Sequence, residues 1–216
     1  MRRLVRGSAF RQSEHAFVAE GRKVVAAALD AAAPVETVFV AAEGSADTNV
    51  RELADRALRA GARVFELGRG VMERVADTVT PQPVCAIVGS VDVPLDTIVA
   101  PGVPTVTSDQ LVLVCLDVRD PGNLGALMRS AAASGARALV CAAGTVDPFN
   151  PKTVRSSAGA IFHVALIHVE DAATVLGRLE GAGFRLLATT AQGGDDYAML
   201  DWSGRIALVL GNEANG

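Results

Sequence analysis

The chain has 216 residues, a net charge of −4 and 50% apolar residues, and its aromatic content is 4%. This length suits one large domain or two modest ones, and the acidic balance excludes a protein that coats nucleic acid through its overall charge. The cysteines, Cys85, Cys115 and Cys141, lack the spacing of metal ligands, which predicts free thiols and no metal site. Neither a signal peptide nor an apolar run long enough to span a bilayer is recognisable in the sequence. A cytoplasmic protein with no membrane partner is therefore predicted.

The amino terminus carries a local basic cluster. Arg2, Arg3, Arg6 and Arg11 all precede the first acid, Glu14. Charge alone favours a frayed, solvated terminus. The alternative is a patch that binds the phosphates of a nucleic acid.

Helical and extended segments alternate between Phe17 and Val91. The predicted helices are Lys23–Ala31, Val50–Ala60 (ending at Gly61) and Val71–Ala76. The predicted strands are Thr37–Ala42, Arg63–Leu67 and Val84–Val91. Three strands interleaved with helices predict a small α/β sandwich domain over residues 1–91.

Residues 92–109 are predicted to be an interdomain linker, because they hold three prolines and no helical period. The second domain, residues 110–216, again alternates. Its predicted strands are Leu111–Val118, Ala138–Ala143, Val164–Val169, Arg185–Thr190 and Ile206–Leu210. Its predicted helices are Leu124–Ser134, Thr153–Ala160 and Asp171–Leu179. This order predicts a doubly wound parallel sheet, which binds ligands at the carboxyl ends of its strands.

The segment Asp117–Ser130 is the one richest in chemistry. It leaves the central strand, turns at Pro121-Gly122 and enters a helix with Asn123 as the predicted N-cap. Such a turn directs backbone N–H groups and the positive end of a helix outward. Arg129 follows on the second turn of that helix, but a routine turn with a solvated arginine would show the same pattern.

Three segments of the chain resemble the SpoU (TrmH-like) RNA methyltransferases of the SPOUT superfamily. Residues 120–131, Asp-Pro-Gly-Asn-Leu-Gly-Ala-x-x-Arg-Ser-Ala, resemble the first motif of that family, and residues 208–216 resemble the second. Residues 150–159 between them match a segment that carries another arginine. The first part of the chain, with Phe17-Val-x-Glu-Gly21 and Pro81-Gln82, is similar to the family's ribosomal-protein-like substrate-binding domain. The resemblance covers the whole chain.

The resemblance implies an S-adenosylmethionine-dependent enzyme that methylates a ribose 2′-hydroxyl in structured RNA, with rRNA favoured over tRNA. It further implies a homodimer and, in a full-length family member, a trefoil knot, which is an exception to the usual absence of knots. The resemblance implies that the cofactor is bound by Thr189, Leu210, Gly211 and Asn212. It implies that Arg129 is catalytic, with Asn123 and Glu213 as orienting groups. The implied RNA-binding residues are Arg155, Ser157, Arg2, Arg3 and Arg6.

One departure from the family pattern concerns the third motif, a Ser-Leu-Asn segment. It should follow the second motif, but the sequence ends at Gly216. An incomplete cofactor site is therefore expected, which leaves open a non-catalytic RNA-binding protein with a broken methyltransferase domain. A tRNA 2′-O-methyltransferase is a further alternative, and a nucleotide-cofactor enzyme built on Gly68 and Gly70 is a weaker one because the third glycine is missing.

Overall fold

The computed structural model describes residues 1–76, 78, 80–100, 102, 109–142 and 144–212. The helices are α1 (Arg2–Arg6), α2 (Ser8–Glu14), α3 (Arg22–Asp30), α4 (Thr48–Arg59), α5 (Val71–Val75), α6 (Asp96–Val99), α7 (Pro121–Ala133), α8 (Pro151–Ser156) and α9 (Ala172–Gly181). The strands are β1 (Ala16–Glu20), β2 (Val35–Ala41), β3 (Arg63–Leu67), β4 (Val84–Gly89), β5 (Gln110–Cys115), β6 (Ala138–Cys141), β7 (Ala165–His168), β8 (Arg185–Ala188) and β9 (Arg205–Leu210).

Contacts between residues divide the chain into two compact units. The first comprises Met1–Val91 and Asp147–His163. The second comprises Asp92–Val146 and the chain from Val164 onward. Residues 147–163, with α8, therefore pack with the first unit, although their place in the sequence lies among the strands of the second.

The first unit is built on a mixed sheet with the strand order β1-β4-β2-β3. Strand β4 is antiparallel to both β1 and β2, and β2 is parallel to β3. The sequence prediction of three strands is wrong, because it omits β1. All five residues of β1 are buried, so the strand lacks the alternation of apolar and polar residues that marks a half-exposed strand.

Strand β1 is covered on one side by residues that are distant in sequence. The Phe17 ring stacks on Phe149, with 4.8 Å between ring centroids, and on Phe162, with 6.1 Å. The buried Arg11 side chain donates from Nε to the carboxylate of Asp147 at 2.8 Å. Aromatic stacking and a buried ion pair thus fasten residues 147–163 to the amino-terminal part of the unit.

Gly159 permits the close approach of that segment to α3, and its replacement should destabilise the first unit. Its φ is +97°, and a Cβ atom there would lie 2.6 Å from the Cβ of Ala27. We expect Gly159→Ala to lower stability by about 3–5 kcal/mol, since steric overlap adds to backbone strain. That loss corresponds to a melting temperature lower by about 6–20 °C in a protein of this size.

Gly61→Ala is the matched control for thermal unfolding. Gly61 has a φ of +88°, yet a Cβ atom there would meet nothing within 4 Å. Only the strain of about 1–2 kcal/mol should then apply. Equal melting temperatures for the two variants would contradict the close packing of Gly159 on α3.

The second unit contains a sheet of five strands, all parallel, in the order β7-β6-β5-β9-β8. One layer of its core comprises residues of the strands, of α6 and α9, and of the segments that flank these two helices: Leu95, Ile98, Val112, Val114, Ala138, Val140, Ile167, Val175, Leu179, Phe184, Ala207 and Val209. Helix α7 also packs against the sheet, where it contacts β6. The prediction of an α/β fold with a parallel sheet is confirmed.

The segment predicted to be a linker contains helix α6. Leu95 and Ile98 are buried in the core of the second unit, so the expectation that residues 92–109 lack a helix is wrong. Two apolar residues three positions apart form one face of a single helical turn, which is too short to show a period in the sequence. Residues 101 and 103–108 of this segment, and Ala143 at the end of a predicted strand, lie outside the described residues.

Candidate functional site

The first part of the site is the turn from β5 into α7. Asp120 is the N-cap, and its carboxylate accepts a hydrogen bond from the backbone N–H of Asn123 at 2.9 Å. The prediction of Asn123 as the N-cap is therefore wrong, because Pro121 already has helical geometry and an aspartate before it caps the free N–H groups. Asn123 is exposed in the first turn of α7, and Arg129 is exposed in the third turn rather than the second.

Asp117 and Asn212 join the loops that follow β5 and β9. The Asn212 side-chain amide donates to the backbone oxygen of Asp117 at 3.1 Å and to its carboxylate at 3.0 Å. Asp117 has a φ of +58°, in the left-handed region that aspartate tolerates better than most residues. The loop after β6 also closes on this residue, because a Cβ atom at Gly144 would lie 2.8 Å from the Asp117 carboxylate.

The charge of Asp117 is stabilised by its neighbours. Arg119 Nε donates to its carboxylate at 2.7 Å. This hydrogen bond, and more weakly the one from Asn212, holds the pKa of Asp117 below its ordinary value. The carboxylate is therefore ionised at neutral pH. Asp117 is absent from the site residues predicted from the sequence; the available signal was a charged residue at the end of an apolar run.

The residues predicted to bind the cofactor lie at the carboxyl ends of β8 and β9. Thr189 donates from its backbone N–H to the oxygen of Val209 at 3.0 Å, and its side chain is exposed. Leu210 accepts from the N–H of Leu116 at 2.8 Å, and Gly211 and Asn212 follow directly. The structure thus brings these predicted residues to one edge of the sheet, beside Asp117. Glu213 lies outside the described residues.

Arg155 and Ser157 belong to the first unit. Arg155 lies with one guanidinium nitrogen 3.4 Å from the carboxylate of Glu20, and a third of its side chain is exposed. Ser157 is fully buried, and its hydroxyl donates to the backbone oxygen of Val154 at 2.7 Å. Ser157 therefore offers RNA no exposed side chain and instead shapes the end of α8.

The predicted amino-terminal RNA residues lie on an ordered helix. Arg2, Arg3 and Arg6 are exposed on α1, so the expectation of a frayed terminus is wrong. Burial of Leu4 and Val5 between these arginines explains the order. The exposed arginines line a shallow depression of about 430 Å³, and the guanidinium of Arg3 stacks over the Phe10 ring.

Arg11, by contrast, has a structural role. Its side chain is 5% exposed, and it donates to the backbone oxygen of Leu4 and to Asp147 as well. It therefore does not contribute to the surface charge of the amino-terminal cluster. Sequence charge alone does not separate a buried arginine from its exposed neighbours.

Alternative sites find little support in the described part of the chain. The cysteines are free and buried, and burial raises the pKa of Cys85 and of Cys115 to about 12, so these thiols are unreactive. The described residues contain no cluster of His, Cys, Asp or Glu suited to a metal ion, and no helix among them is both long and apolar enough to cross a bilayer. The histidines, His15, His163 and His168, are exposed.

Comparisons with known proteins agree with this geometry. Residues 110–216 match the SpoU rRNA Methylase family, and residues 2–86 match the MRM3-like substrate binding domain. The chain is 30% identical over 206 residues to the 23S rRNA (guanosine(2553)-2′-O)-methyltransferase RlmP of Bacillus subtilis, covering 95% of this chain and 75% of that protein.

Two solved structures with bound AdoMet are similar over the whole chain. One is an rRNA methyltransferase from Sinorhizobium meliloti, with a TM-score of 0.83, 28% identity and 77% of that chain covered. The other is the SpoU methyltransferase AviRb from Streptomyces viridochromogenes, with a TM-score of 0.86, 26% identity and 80% of that chain covered.

Proposed function

Because the chain belongs to the SpoU family of rRNA methyltransferases, we propose that it methylates a ribose 2′-hydroxyl of 23S rRNA with S-adenosylmethionine as the methyl donor. The observation that carries this proposal is the convergence of the loops after β5, β8 and β9 at one edge of the parallel sheet. The residues at that edge match the family's first and second motifs. Open parallel sheets bind their ligands at this edge.

The residues present fit S-adenosylmethionine by the chemistry of their side chains. The Thr189 hydroxyl donates to the backbone oxygen of Val209 and can accept a further hydrogen bond, and the Asn212 amide offers a carbonyl oxygen to hydroxyl and amino groups. When bound, the cofactor supplies an electrophilic methyl group on a sulfonium. Asp117 holds Asn212 in place for this role through two hydrogen bonds.

Arg129 is the proposed catalytic residue. Guanidinium remains protonated in proteins, so Arg129 acts as a hydrogen-bond donor and a fixed positive charge rather than as a base. It binds the phosphate and ribose of the target nucleotide and stabilises the negative charge that the 2′-oxygen acquires as its proton passes to water, so that this oxygen can take up the methyl group while the bond from that methyl group to the sulfonium sulfur breaks. Asn123 orients the nucleotide from the first turn of the same helix, and Glu213 is assigned a similar orienting role.

The first unit is the proposed RNA-binding unit. Its match to the MRM3-like substrate binding domain supports this assignment, as does the exposed arginine cluster of α1. Because the overall charge is −4, phosphate binding must come from local basic clusters such as this one rather than from the net charge of the chain. Arg155 is a second proposed contact.

We expect replacement of Arg2, Arg3 and Arg6 together by alanine to flatten the salt dependence of RNA binding. Each lost phosphate contact should lower the slope of log affinity against log salt by about 0.7–0.9, which gives about two to three for the triple variant. Filter binding over a salt series, with 23S rRNA and with random RNA, measures both slopes. Phosphate contacts should affect both RNAs alike.

A charge-matched variant serves as the control. Arg51, Arg59 and Arg63 are exposed on α4 and at the start of β3 in the same unit, and their joint replacement should leave the slope within about one of the wild type. If the slope of log affinity against log salt were unchanged in the α1 variant, Arg2, Arg3 and Arg6 would not contact the RNA.

Three further properties are proposed from family membership: a homodimer, a trefoil knot in a full-length family member, and a cytoplasmic location. The free, buried thiols support the last, since reducing compartments favour them. Light scattering tests the homodimer; a monomer at micromolar concentration would contradict it.

The activity is tested with S-adenosylmethionine labelled in its methyl group and transcripts of 23S rRNA or tRNA. Label in 23S rRNA above that in tRNA is expected. Label in tRNA alone would instead favour the tRNA methyltransferase, and RNA binding without label would favour the non-catalytic RNA-binding protein.

A further inference from the structure

Glu20 is a buried carboxylate to which the mechanism assigns no role. It ends strand β1 within the segment Phe17–Gly21, and 7% of the residue is exposed. One carboxylate oxygen accepts from the Thr78 hydroxyl at 3.0 Å and from the backbone N–H of Gln82 at 3.1 Å. A buried charge is costly unless hydrogen bonds and an opposite charge compensate it, and these two hydrogen bonds offset part of that cost.

The second carboxylate oxygen of Glu20 meets Arg155. The distance to the guanidinium Nη1 is 3.4 Å, which is longer than a strong charge-assisted hydrogen bond. A guanidinium carries five N–H donors in a planar fork, and the contact between Nη1 and this carboxylate involves only some of them. Arg155 is thus held from its buried side while a third of its side chain faces solvent.

A second cation lies near Arg155 on the same helix. Lys152 is exposed and lies three residues earlier on α8, which places the two cations on one side of the helix. The start of α8 is capped by Asn150, and Phe149 next to it stacks on Phe17 of β1. Both ends of the Glu20–Arg155 pair therefore rest on well-packed elements of the same unit.

We propose that Glu20 is a positioning residue that orients Arg155 so that its outer N–H groups bind a phosphate of the RNA substrate. This inference rests on the proposed function, because it concerns the same RNA. Preorganisation explains why a carboxylate is kept beside a phosphate-binding arginine despite its negative charge: a long, flexible side chain loses less conformational entropy on binding when it is already held.

The sign of the effect of Glu20→Gln distinguishes positioning from simple electrostatics. Removal of a negative charge near the RNA should tighten binding if only charge matters. Loss of orientation should instead weaken binding, and we expect a loss of about three- to tenfold in affinity for a 23S rRNA transcript. Glu36→Gln is the matched control, since it removes the same charge from an exposed position of the same unit. It should bind RNA as tightly as the wild type or slightly more tightly.

A double-mutant cycle tests whether Glu20 acts through Arg155. Arg155→Gln should weaken RNA binding and lower the salt slope by about 0.7–0.9. The combination of Glu20→Gln with Arg155→Gln should bind no more weakly than Arg155→Gln alone, because the oriented group is already absent. Additive losses would overturn the proposal, as would tighter binding by Glu20→Gln.

Two variants separate positioning from a loss of folding. Thr78→Val removes a partner of the same carboxylate without touching Arg155, so it should lower thermal stability yet retain at least about half of the RNA affinity. Should Glu20→Gln not fold, Glu20→Asp keeps the charge but withdraws it from Arg155, and the same weakening is expected. Wild-type affinity in Glu20→Asp would overturn the proposal. These binding measurements do not depend on methyl transfer by the wild-type protein. If the wild-type protein transferred no methyl group, the proposed function would be contradicted, but the positioning role of Glu20 would still be tested by RNA binding.

Discussion

Replacement of Arg129 by alanine should lower methyl transfer to 23S rRNA by at least about a thousandfold while cofactor affinity stays within severalfold of the wild type. In the proposed mechanism Arg129 contacts the 2′-oxygen of the RNA ribose, which acquires negative charge only as it loses its proton on the way to the transition state. Single-turnover methylation and calorimetric titration of S-adenosylmethionine measure the two quantities separately.

Arg129→Lys is the informative companion variant. It keeps the positive charge but not the planar fork of donors, so it should recover little activity. If Arg129→Ala retained most of the wild-type single-turnover rate, the catalytic assignment would be wrong. Substantial recovery by lysine would instead mean that charge, rather than bidentate binding, is what the reaction needs.

Asp117→Ala should weaken S-adenosylmethionine binding by about tenfold or more, since it removes one of the two acceptors that hold Asn212 and places a residue without a local hydrogen bond in left-handed backbone. Asp117→Asn is the matched control, because asparagine tolerates the same backbone conformation and still offers an oxygen to Asn212. Its affinity should stay within about threefold of the wild type. If both variants bound S-adenosylmethionine with wild-type affinity, the contact between Asp117 and Asn212 would not belong to the cofactor site.

The pH dependence of this contact follows from the lowered pKa of Asp117. A carboxylate whose pKa is lowered in the folded protein contributes above its ordinary value, and the contribution is lost as the pH falls through the lowered pKa. Cofactor affinity should therefore be flat from pH 8 down to about pH 5 with respect to this group. Calorimetric titration at several pH values measures it.

The sequence revealed the second unit better than the first. Its strands are apolar runs such as Leu111–Val118, which are typical of a parallel sheet covered on both sides, and they were placed within a few residues of β5–β9. The cofactor residues followed from the family resemblance: Leu210, Gly211 and Asn212 belong to the second motif, and Thr189 was carried over by its position at the end of a strand. The N-cap was misplaced because both Asp120 and Asn123 suit that position, and only the hydrogen bond decides between them.

The features that the sequence missed depend on distant contacts. Strand β1 is short and fully buried because residues 147–163 cover it, and no local pattern reports a neighbour that is more than 130 positions away. The same holds for the burial of Arg11 by Asp147 and for the pairing of Glu20 with Arg155. A charged residue at the end of the short apolar segment Ala16–Ala19 was the available signal for Glu20, and it does not identify the partner.

The central claim is methylation at the ribose 2′-oxygen, and the chemistry of RNA hydrolysis tests it most directly. Alkali cleaves RNA through attack of the 2′-oxygen on the adjacent phosphate, so a 2′-O-methyl group makes that bond resistant. After transfer of labelled methyl groups from S-adenosylmethionine to 23S rRNA, alkaline hydrolysis should release the label in dinucleotides. Label in mononucleotides would place the methyl group on a base and contradict the account, as would an RNA that acquires no label.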